Sequence, residues 1–260
     1  MTRIQAFTTH LITSLAVVCV VAVTALWIWY PDFYASANDI WRPLSIMIGV
    51  DAILGPVMML ILFKPGKPGL KFDITVILAI QIMALTGATG MMFLESPKLA
   101  VYHNGMFVCL SANNVKAAHA DPSQFQADNT VIPQAYLPFP NPQQQAEWQQ
   151  RLNVMPNGQL SFPPYVFGDY FESITPQNIA TMLRQELDVS VLSDEKHLYH
   201  ATWQAFVSKH KDNVQNYAYF SMVCSPTEHL AVMDRKTGIL IDAIPIPSLN
   251  IPKKYFSQSN

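Results

Sequence analysis

The sequence predicts an integral membrane protein in which three transmembrane α-helices are followed by an α+β extramembrane domain with an antiparallel sheet. Residues 11–30, 43–63 and 73–94 are apolar runs close to the roughly 20 residues that cross about 30 Å of hydrocarbon. Only 13% of the residues are charged, and most of these follow residue 94. Beyond that point, patterns typical of helices and strands both occur. We therefore predict a membrane domain over residues 1–94 and a second domain over residues 95–260.

The first apolar run, residues 11–30, ends in Trp27-Ile28-Trp29-Tyr30, and such aromatic residues mark the membrane interface. A cleaved signal peptide is the alternative, because Ala35-Ser36-Ala37 resembles a small-residue cleavage site. The run is longer than the core of about 7 to 15 residues in a signal peptide, and Pro31 intervenes. A spanning helix is therefore the preferred interpretation.

The second and third runs predict an antiparallel helical hairpin. The turn over residues 64–71 contains two Pro-Gly steps, which end one helix and begin the next. This turn carries three lysines, whereas the loop over residues 31–43 carries Arg42 as its single basic residue. Because lysine and arginine favour cytoplasmic loops, we place the turn and the amino terminus in the cytoplasm. The protein is then a multi-pass protein of a bacterial inner membrane with a periplasmic C-terminal domain.

Two polar side chains, Asp51 and Gln81, fall near the predicted bilayer midplane. An ionised carboxylate at that depth costs at least about 2.5 kcal/mol, so we expect Asp51 to be neutral or paired. Asp51 shares a helix face with Gly55, and Gln81 shares one with Ala84 and Ala88; such small residues let helices approach closely. These five are the candidate partner-binding residues.

Two hypotheses for the midplane residues stay open. Asp51 and Gln81 could join the arms of the hairpin, or Asp51 could face a cleft that receives a polar group of another membrane helix. Transport is disfavoured, because Asp51 is the only ionisable group that the predicted spans place at this depth.

The helices and strands of the second domain are predicted from turn residues, helix-capping residues and the spacing of apolar residues. Strands are predicted at 99–102 and 106–110, with Asn104-Gly105 as their turn. Residues 121–142 are predicted to be a long loop. The remaining predictions are helices at 143–152, 176–187 and 195–209, followed by strands at 217–223, 229–233 and 239–244. The helix at 195–209 is expected to bury a stripe of Leu198, Ala201 and Ala205, with Trp203 and Phe206 as further candidates.

Cys109 and Cys224 lie in or directly beside two of these predicted strands, in the domain placed outside the cytoplasm. Because that compartment is oxidising, we predict a disulfide, with two unpaired core thiols as the alternative. Cys19 falls in the first span, where a small apolar residue is expected.

We find no sequence motif that organises catalysis or cofactor binding. The chain has no C-x-x-C, H-E-x-x-H or G-x-S-x-G motif and no Gly-rich phosphate loop. His197 and His200 could be imagined as zinc ligands beside Asp194, but solvated histidines are the commoner outcome. The net charge of -2 and the lack of a long basic run disfavour nucleic acid as a partner. We predict no catalytic residue, metal or cofactor.

The hairpin resembles that of the TfpX/TfpZ family of type IV pilin accessory proteins. The matching residues are Gly49-Val50-Asp51, Leu54-Gly55-Pro56, Phe63-Lys64-Pro65, Leu70, Asp73, Gln81 and Ala84-Leu85, with further similarity at 101–109, 217–220 and 234–238. The resemblance is strong from Gly49 to Ala84 and thin from Ser111 to Pro176.

The resemblance implies a non-catalytic inner-membrane factor that binds the major type IV pilin and supports its stability or pilus assembly. The lipid bilayer and other pilus assembly proteins are the further partners implied. A membrane-anchored periplasmic enzyme acting on pilin or envelope glycan is the alternative. A sensor is less favoured, because no output domain is found on the predicted cytoplasmic side.

Overall fold

The computed structural model describes residues 2–128, 130–153, 163–224, 227–248 and 251–252. The chain separates into two compact units. The first comprises Met1–Ala35 with Asp39–Ser96, and the second comprises Ser36–Asn38 with Pro97–Asn260. Each unit has its own core, and each is described by itself below.

The first unit contains three helices that are long and apolar enough to cross a membrane, Arg3–Trp29, Trp41–Leu62 and Leu70–Glu95. The first consists of α1 (Arg3–Thr24) and a π-helical turn over Ala25–Trp29. A short helix, α2 (Tyr34–Ala37), precedes the second long helix, which is built from α3 (Trp41–Ile48), a π-helical segment at Gly49–Leu54 and α4 (Gly55–Leu62). The third is α5 (Leu70–Glu95).

The first long helix begins eight residues before its predicted start at residue 11, and this corrects the sequence analysis. Thr2 and Gln5 form a capping box: the Thr2 hydroxyl accepts from the Gln5 backbone N–H, and the Gln5 side chain accepts from the Thr2 N–H. These bonds satisfy donors at the helix start, so the helix forms through a segment too polar for the hydropathy criterion. The extra turns bring His10 inside the helix.

The turn between α4 and α5 is formed as its glycines predict. Gly66 and Gly69 adopt φ values of 77° and 82°, a region that favours glycine. Asp73 lies in the first turn of α5 and pairs with Lys67 at 2.5 Å. At the far end of α5, the Tyr30 hydroxyl donates to the Met92 carbonyl at 2.7 Å and fixes the end of the first helix against the third.

The second unit is built on a seven-stranded mixed sheet with the order β4-β3-β1-β2-β5-β6-β7. The strands are β1 (Pro97–His103), β2 (Met106–Ser111), β3 (Gln134–Tyr136), β4 (Glu172–Ser173), β5 (Tyr217–Cys224), β6 (Thr227–Asp234) and β7 (Leu240–Ile244). The five strands predicted from sequence are confirmed. At the turn between β1 and β2, Asn104 and Gly105 have φ values of 48° and 82°, as a two-residue hairpin requires.

The prediction of an antiparallel sheet is wrong at two pairings. β1 pairs with β3 in parallel, and β2 pairs with β5 in parallel. β3 lies inside the segment predicted as a loop, residues 121–142, where its three residues are too few to show a period. β2 and β5 are far apart in the chain, and helices fill the crossover that a parallel connection needs.

The predicted disulfide is confirmed. Cys109 in β2 and Cys224 in β5 are bonded, with their Cα atoms 4.8 Å apart, and each follows a member of the register pair Val108 and Val223 on its own strand. The bond therefore joins neighbouring strands at the centre of the sheet. It closes a separation of 115 residues.

The helices of the second unit agree only partly with the predictions. They are α6 (Ala112–Ala117), α7 (Gln145–Asn153), α8 (Pro176–Leu183) and α9 (His200–His210). Helix α6 was not predicted from the sequence. The start of α8 is as expected, because Thr175 and Asn178 form a capping box around Pro176. The start of α9 lies five residues after the predicted start at residue 195.

The predicted buried stripe of α9 is wrong in part. Trp203 and Phe206 are buried, but Ala201 and Ala205 are exposed, and Leu198, which precedes the helix, is 83% exposed. The two aromatic rings pack against Tyr219 of β5 at centroid distances of 5.4 and 6.3 Å. Large rings bury more apolar area than alanine methyl groups, so they set the face of the helix.

Candidate functional site

A cavity of about 230 Å³ lies among the three long helices of the first unit. Most of its wall is apolar, and its polar side chains come from all three helices. It is lined by His10, Thr13, Ser14, Val17, Asp51, Leu78, Gln81, Ile82 and Leu85. We call it the interhelical cavity.

Asp51 is positioned by the π-helical segment at Gly49–Leu54. Within this segment the Gly55 N–H bonds to the Val50 carbonyl, five residues back, so the helix carries one extra residue in its turn. Pro56 follows and has no N–H to donate to the preceding turn. A proline next to a wide turn loosens the backbone hydrogen-bond ladder, and such π-turns are frequent at functional sites.

The Asp51 side chain is buried and faces the interhelical cavity. Only 6% of the residue is exposed. Among the residues that the structure describes, no hydrogen-bond donor and no cationic side chain contacts its carboxylate directly, although His10 lies close enough to act on it electrostatically. Buried charged groups are normally paired, which makes this carboxylate the most unusual feature of the cavity.

Gln81 and His10 form the polar contact that joins the third helix to the first. His10 Nε2 donates to Gln81 Oε1 at 2.9 Å. Gly55 makes this contact sterically possible, because a Cβ atom at its position would lie 1.9 Å from Gln81 Nε2 and 2.9 Å from His10 Nε2. The space that a side chain would fill at Gly55 is therefore occupied by the glutamine amide.

Three of the five candidate residues are thus brought together, and two lie elsewhere. Asp51 and Gln81 line the interhelical cavity, and Gly55 contacts the Gln81 amide. Ala84 is exposed and Ala88 is half-buried, and neither lines the cavity.

The contribution of the first helix to the cavity was not predicted from the sequence. His10, Thr13, Ser14 and Val17 have the spacing i, i+3, i+4, i+7, which places them on one helix face. That spacing was a usable signal, but His10 fell outside the predicted span. The finding also removes one reason for disfavouring transport, since a second ionisable group lies beside the cavity.

In the second unit, an ion pair between a half-buried arginine and a buried glutamate borders a cavity of about 400 Å³. Arg235 Nη2 lies 2.6 Å from Glu186 Oε2, and Glu186 is 1% exposed. The cavity is also lined by Trp203, Tyr217 and Tyr219. Burial raises the pKa of the Tyr219 hydroxyl, and the nearby Arg235 opposes this shift.

Three histidines of the second unit are occupied by local contacts. His103 is buried and its Nδ1 donates to the Leu137 carbonyl at 3.0 Å; burial lowers the pKa of its imidazole. His200 Nδ1 donates to the Leu192 carbonyl at 3.1 Å, and His197 Nδ1 accepts from the Tyr199 N–H. Within the described ranges, no three His, Cys, Asp or Glu side chains form a group that could hold a metal ion.

No protein-family model matches the chain, and no curated protein or solved structure matches it either.

Proposed function

We propose that this protein is a non-catalytic accessory factor of type IV pilus biogenesis, which binds the major pilin in the inner membrane and supports its stability or assembly. The observation that carries the proposal is the interhelical cavity with the buried carboxylate of Asp51. A carboxylate in an apolar environment is costly, and a polar group on an incoming helix would remove that cost.

The exposed surface of the long helices supports a membrane location and leaves room for such a helix. In the most apolar windows of the first and third helices, only 11% and 6% of the residues are buried within the protein. Leu78 and Ile82 border the interhelical cavity and are 40% and 62% exposed. Lipid or another helix must cover this apolar face, and the cavity gives the helix a polar contact that lipid tails lack.

The proposed orientation has the amino terminus in the cytoplasm and the second unit in the periplasm. Two observations support it. The lysines of the hairpin turn favour the cytoplasmic side, and the Cys109–Cys224 disulfide fits an oxidising compartment. In this orientation the protein could contact both the membrane helix and the periplasmic head of a pilin subunit.

An enzyme of the second unit receives less support. Its cavity has two carboxylates, but Glu186 is paired with Arg235, and Asp188 accepts the Ser190 N–H at 3.1 Å in a local turn. Both acids therefore already have structural contacts, which disfavours acid–base work by either of them.

Site-specific photocrosslinking tests the proposal, with a matched control that the chain itself offers. Ile82 lines the interhelical cavity and is 62% exposed, whereas the adjacent Met83 is 67% exposed and lies on a different face. A photoreactive residue at position 82 should crosslink to pilin in living cells, with a much lower yield from position 83. Equal yields, or no pilin adduct from position 82, would contradict binding at the cavity.

A further inference from the structure

We infer that the group received by the interhelical cavity is a protonated amine on the partner helix, held by the carboxylate of Asp51. This inference rests on the proposed function, because it names the chemistry of the same site. It follows from the donors and acceptors that the cavity presents.

Two of the donors at the cavity wall are already used. His10 Nε2 donates to Gln81 Oε1 at 2.9 Å, and the Thr13 hydroxyl donates to the Thr9 carbonyl at 2.9 Å. A hydroxyl that donates still has lone pairs for accepting, so Thr13 offers an acceptor to the cavity.

The acceptors of Asp51, in contrast, are available. An ionised carboxylate has two oxygens with about four acceptor sites, and no described side chain donates to those of Asp51. Pro56 removes a further donor from the adjacent backbone turn. The Ser14 hydroxyl and the Gln81 amide N–H groups also line the cavity as donors. Asp51 is the one acidic residue in the described wall, and its charge is complementary to a cation with several N–H donors.

His10 acts electrostatically on Asp51 but does not contact its carboxylate. It is the other ionisable residue of the cavity wall, but among the described residues it forms no ion pair with Asp51 within 4 Å, and its Nε2 is bonded to Gln81. The direct contact to the Asp51 carboxylate is therefore left for a group of the partner helix.

The size and lining of the cavity favour an ammonium on a protein helix over a hydrated metal ion. A volume of about 230 Å³ exceeds the roughly 150 Å³ that suffices for benzene, so a side chain or a chain end fits. Hard cations need six or more oxygen ligands, whereas Val17, Ile82 and Leu85 make much of the wall apolar. An ammonium needs only three acceptors, and its aliphatic stem suits such walls.

Pairing would remove two penalties together. A lone ammonium and a lone carboxylate are each unfavourable at this depth, and their contact in a medium of low dielectric constant neutralises both. The cavity would therefore discriminate between helices by the presence of an amine at one level along the helix.

Crosslinking of pilin from position 82 in Asp51 variants tests the inference. Asp51→Asn keeps the shape and one acceptor oxygen but loses the charge, whereas Asp51→Glu keeps the charge. We expect Asp51→Asn to lower the yield of the pilin adduct about tenfold or more, and Asp51→Glu to retain most of it. Formation of the Cys109–Cys224 disulfide reports whether each variant is still exported and folded.

The outcomes separate the inference from the function on which it rests. A pilin adduct that is equally abundant in the wild-type and the Asp51→Asn protein overturns the ammonium but leaves pilin binding intact. No pilin adduct from the protein with an unchanged Asp51 overturns pilin binding itself.

Two sources of the amine are distinguished by changing pilin. If replacing the lysines of the pilin membrane helix by glutamine abolishes the adduct, the amine is a lysine side chain. If the adduct and its dependence on Asp51 survive, the amine is the amino terminus.

Discussion

Replacing Gly55 by alanine should break the contact between the first and third helices. The added Cβ would lie 1.9 Å from Gln81 Nε2, whereas ordinary van der Waals contact begins near 3.4 Å. The amide must therefore move by about 1.5 Å, the difference between these distances. Such a shift would break the 2.9 Å hydrogen bond between His10 Nε2 and Gln81 Oε1, because a separation of about 3.6 Å no longer counts as a hydrogen bond.

The expected cost follows from the bond that is lost. Interhelical hydrogen bonds in membranes contribute about 0.6 kcal/mol on average and up to about 1.7 kcal/mol. Gly→Ala in a helix also brings a favourable propensity term of up to about 1 kcal/mol, which must be subtracted. Gly87→Ala supplies that control, because nothing lies within 4 Å of a Cβ built on Gly87 of α5. Gly55→Ala should therefore be less stable than Gly87→Ala by about 0.6 to 1.7 kcal/mol.

The assay is unfolding of the membrane unit in mixed micelles by a denaturing detergent, followed by energy transfer between labels at the exposed positions Ile4 and Lys64. A double-mutant cycle with Gln81→Ala isolates the steric effect. Once Gln81 is truncated, most of the cost of Gly55→Ala should disappear, because the contact that remains is the one with His10 Nε2 at 2.9 Å. An unchanged cost of Gly55→Ala in the Gln81→Ala protein would refute the steric argument.

Three further predictions concern the second unit, with stability measured by urea unfolding. Arg235→Met should destabilise the fold by up to about 3 kcal/mol, because it removes the guanidinium from the buried Glu186 carboxylate. Adding Glu186→Gln should recover much of the loss, and equal stability of the single and double variants would contradict this. Replacing both Cys109 and Cys224 by alanine should cost about 4 to 5 kcal/mol in the chain-entropy model, against no effect for Cys19→Ala. Because burial lowers the pKa of the His103 imidazole, the unfolded state binds the proton more readily than the folded state. The free energy of unfolding should be highest above about pH 6.5 and should fall as the pH drops through the lower folded-state pKa, by at most about 1.4 kcal/mol per pH unit. His103→Gln should flatten this pH profile.

Structural features that a short stretch of sequence determines were predictable. The apolar runs, the Asn104-Gly105 turn and the Thr175 cap each depend on a few neighbouring residues, and the structure has each of them. The five longer strands were found for the same reason. The disulfide between Cys109 and Cys224 followed from compartment chemistry and strand assignment together.

Features decided by distant contacts were not predictable. β3 (Gln134–Tyr136) exists because it pairs with β1, and its three residues carry no recognisable period. The face of α9 was misassigned because the rings of Trp203 and Phe206 meet Tyr219, which is contributed by a strand later in the chain.

The candidate site was predictable only in part, for the same two reasons. Asp51 and Gln81 stood out because lipid disfavours polar groups, and Gly55 because small residues mark close helix contacts. The π-helical segment that positions Asp51 was not predicted, because Pro56 was its only signal in the sequence. His10 was missed because a hydropathy threshold placed the helix start after it, whereas a capping box sets the real start.

The most direct test of the account compares surface pili and cellular pilin levels in a strain that lacks this protein and in strains that carry the wild-type or Asp51→Asn form. We predict that the deletion lowers surface piliation, that the wild-type protein restores it, and that the Asp51→Asn protein restores it poorly although it accumulates normally. Normal piliation in the deletion strain and in the Asp51→Asn strain would contradict the account.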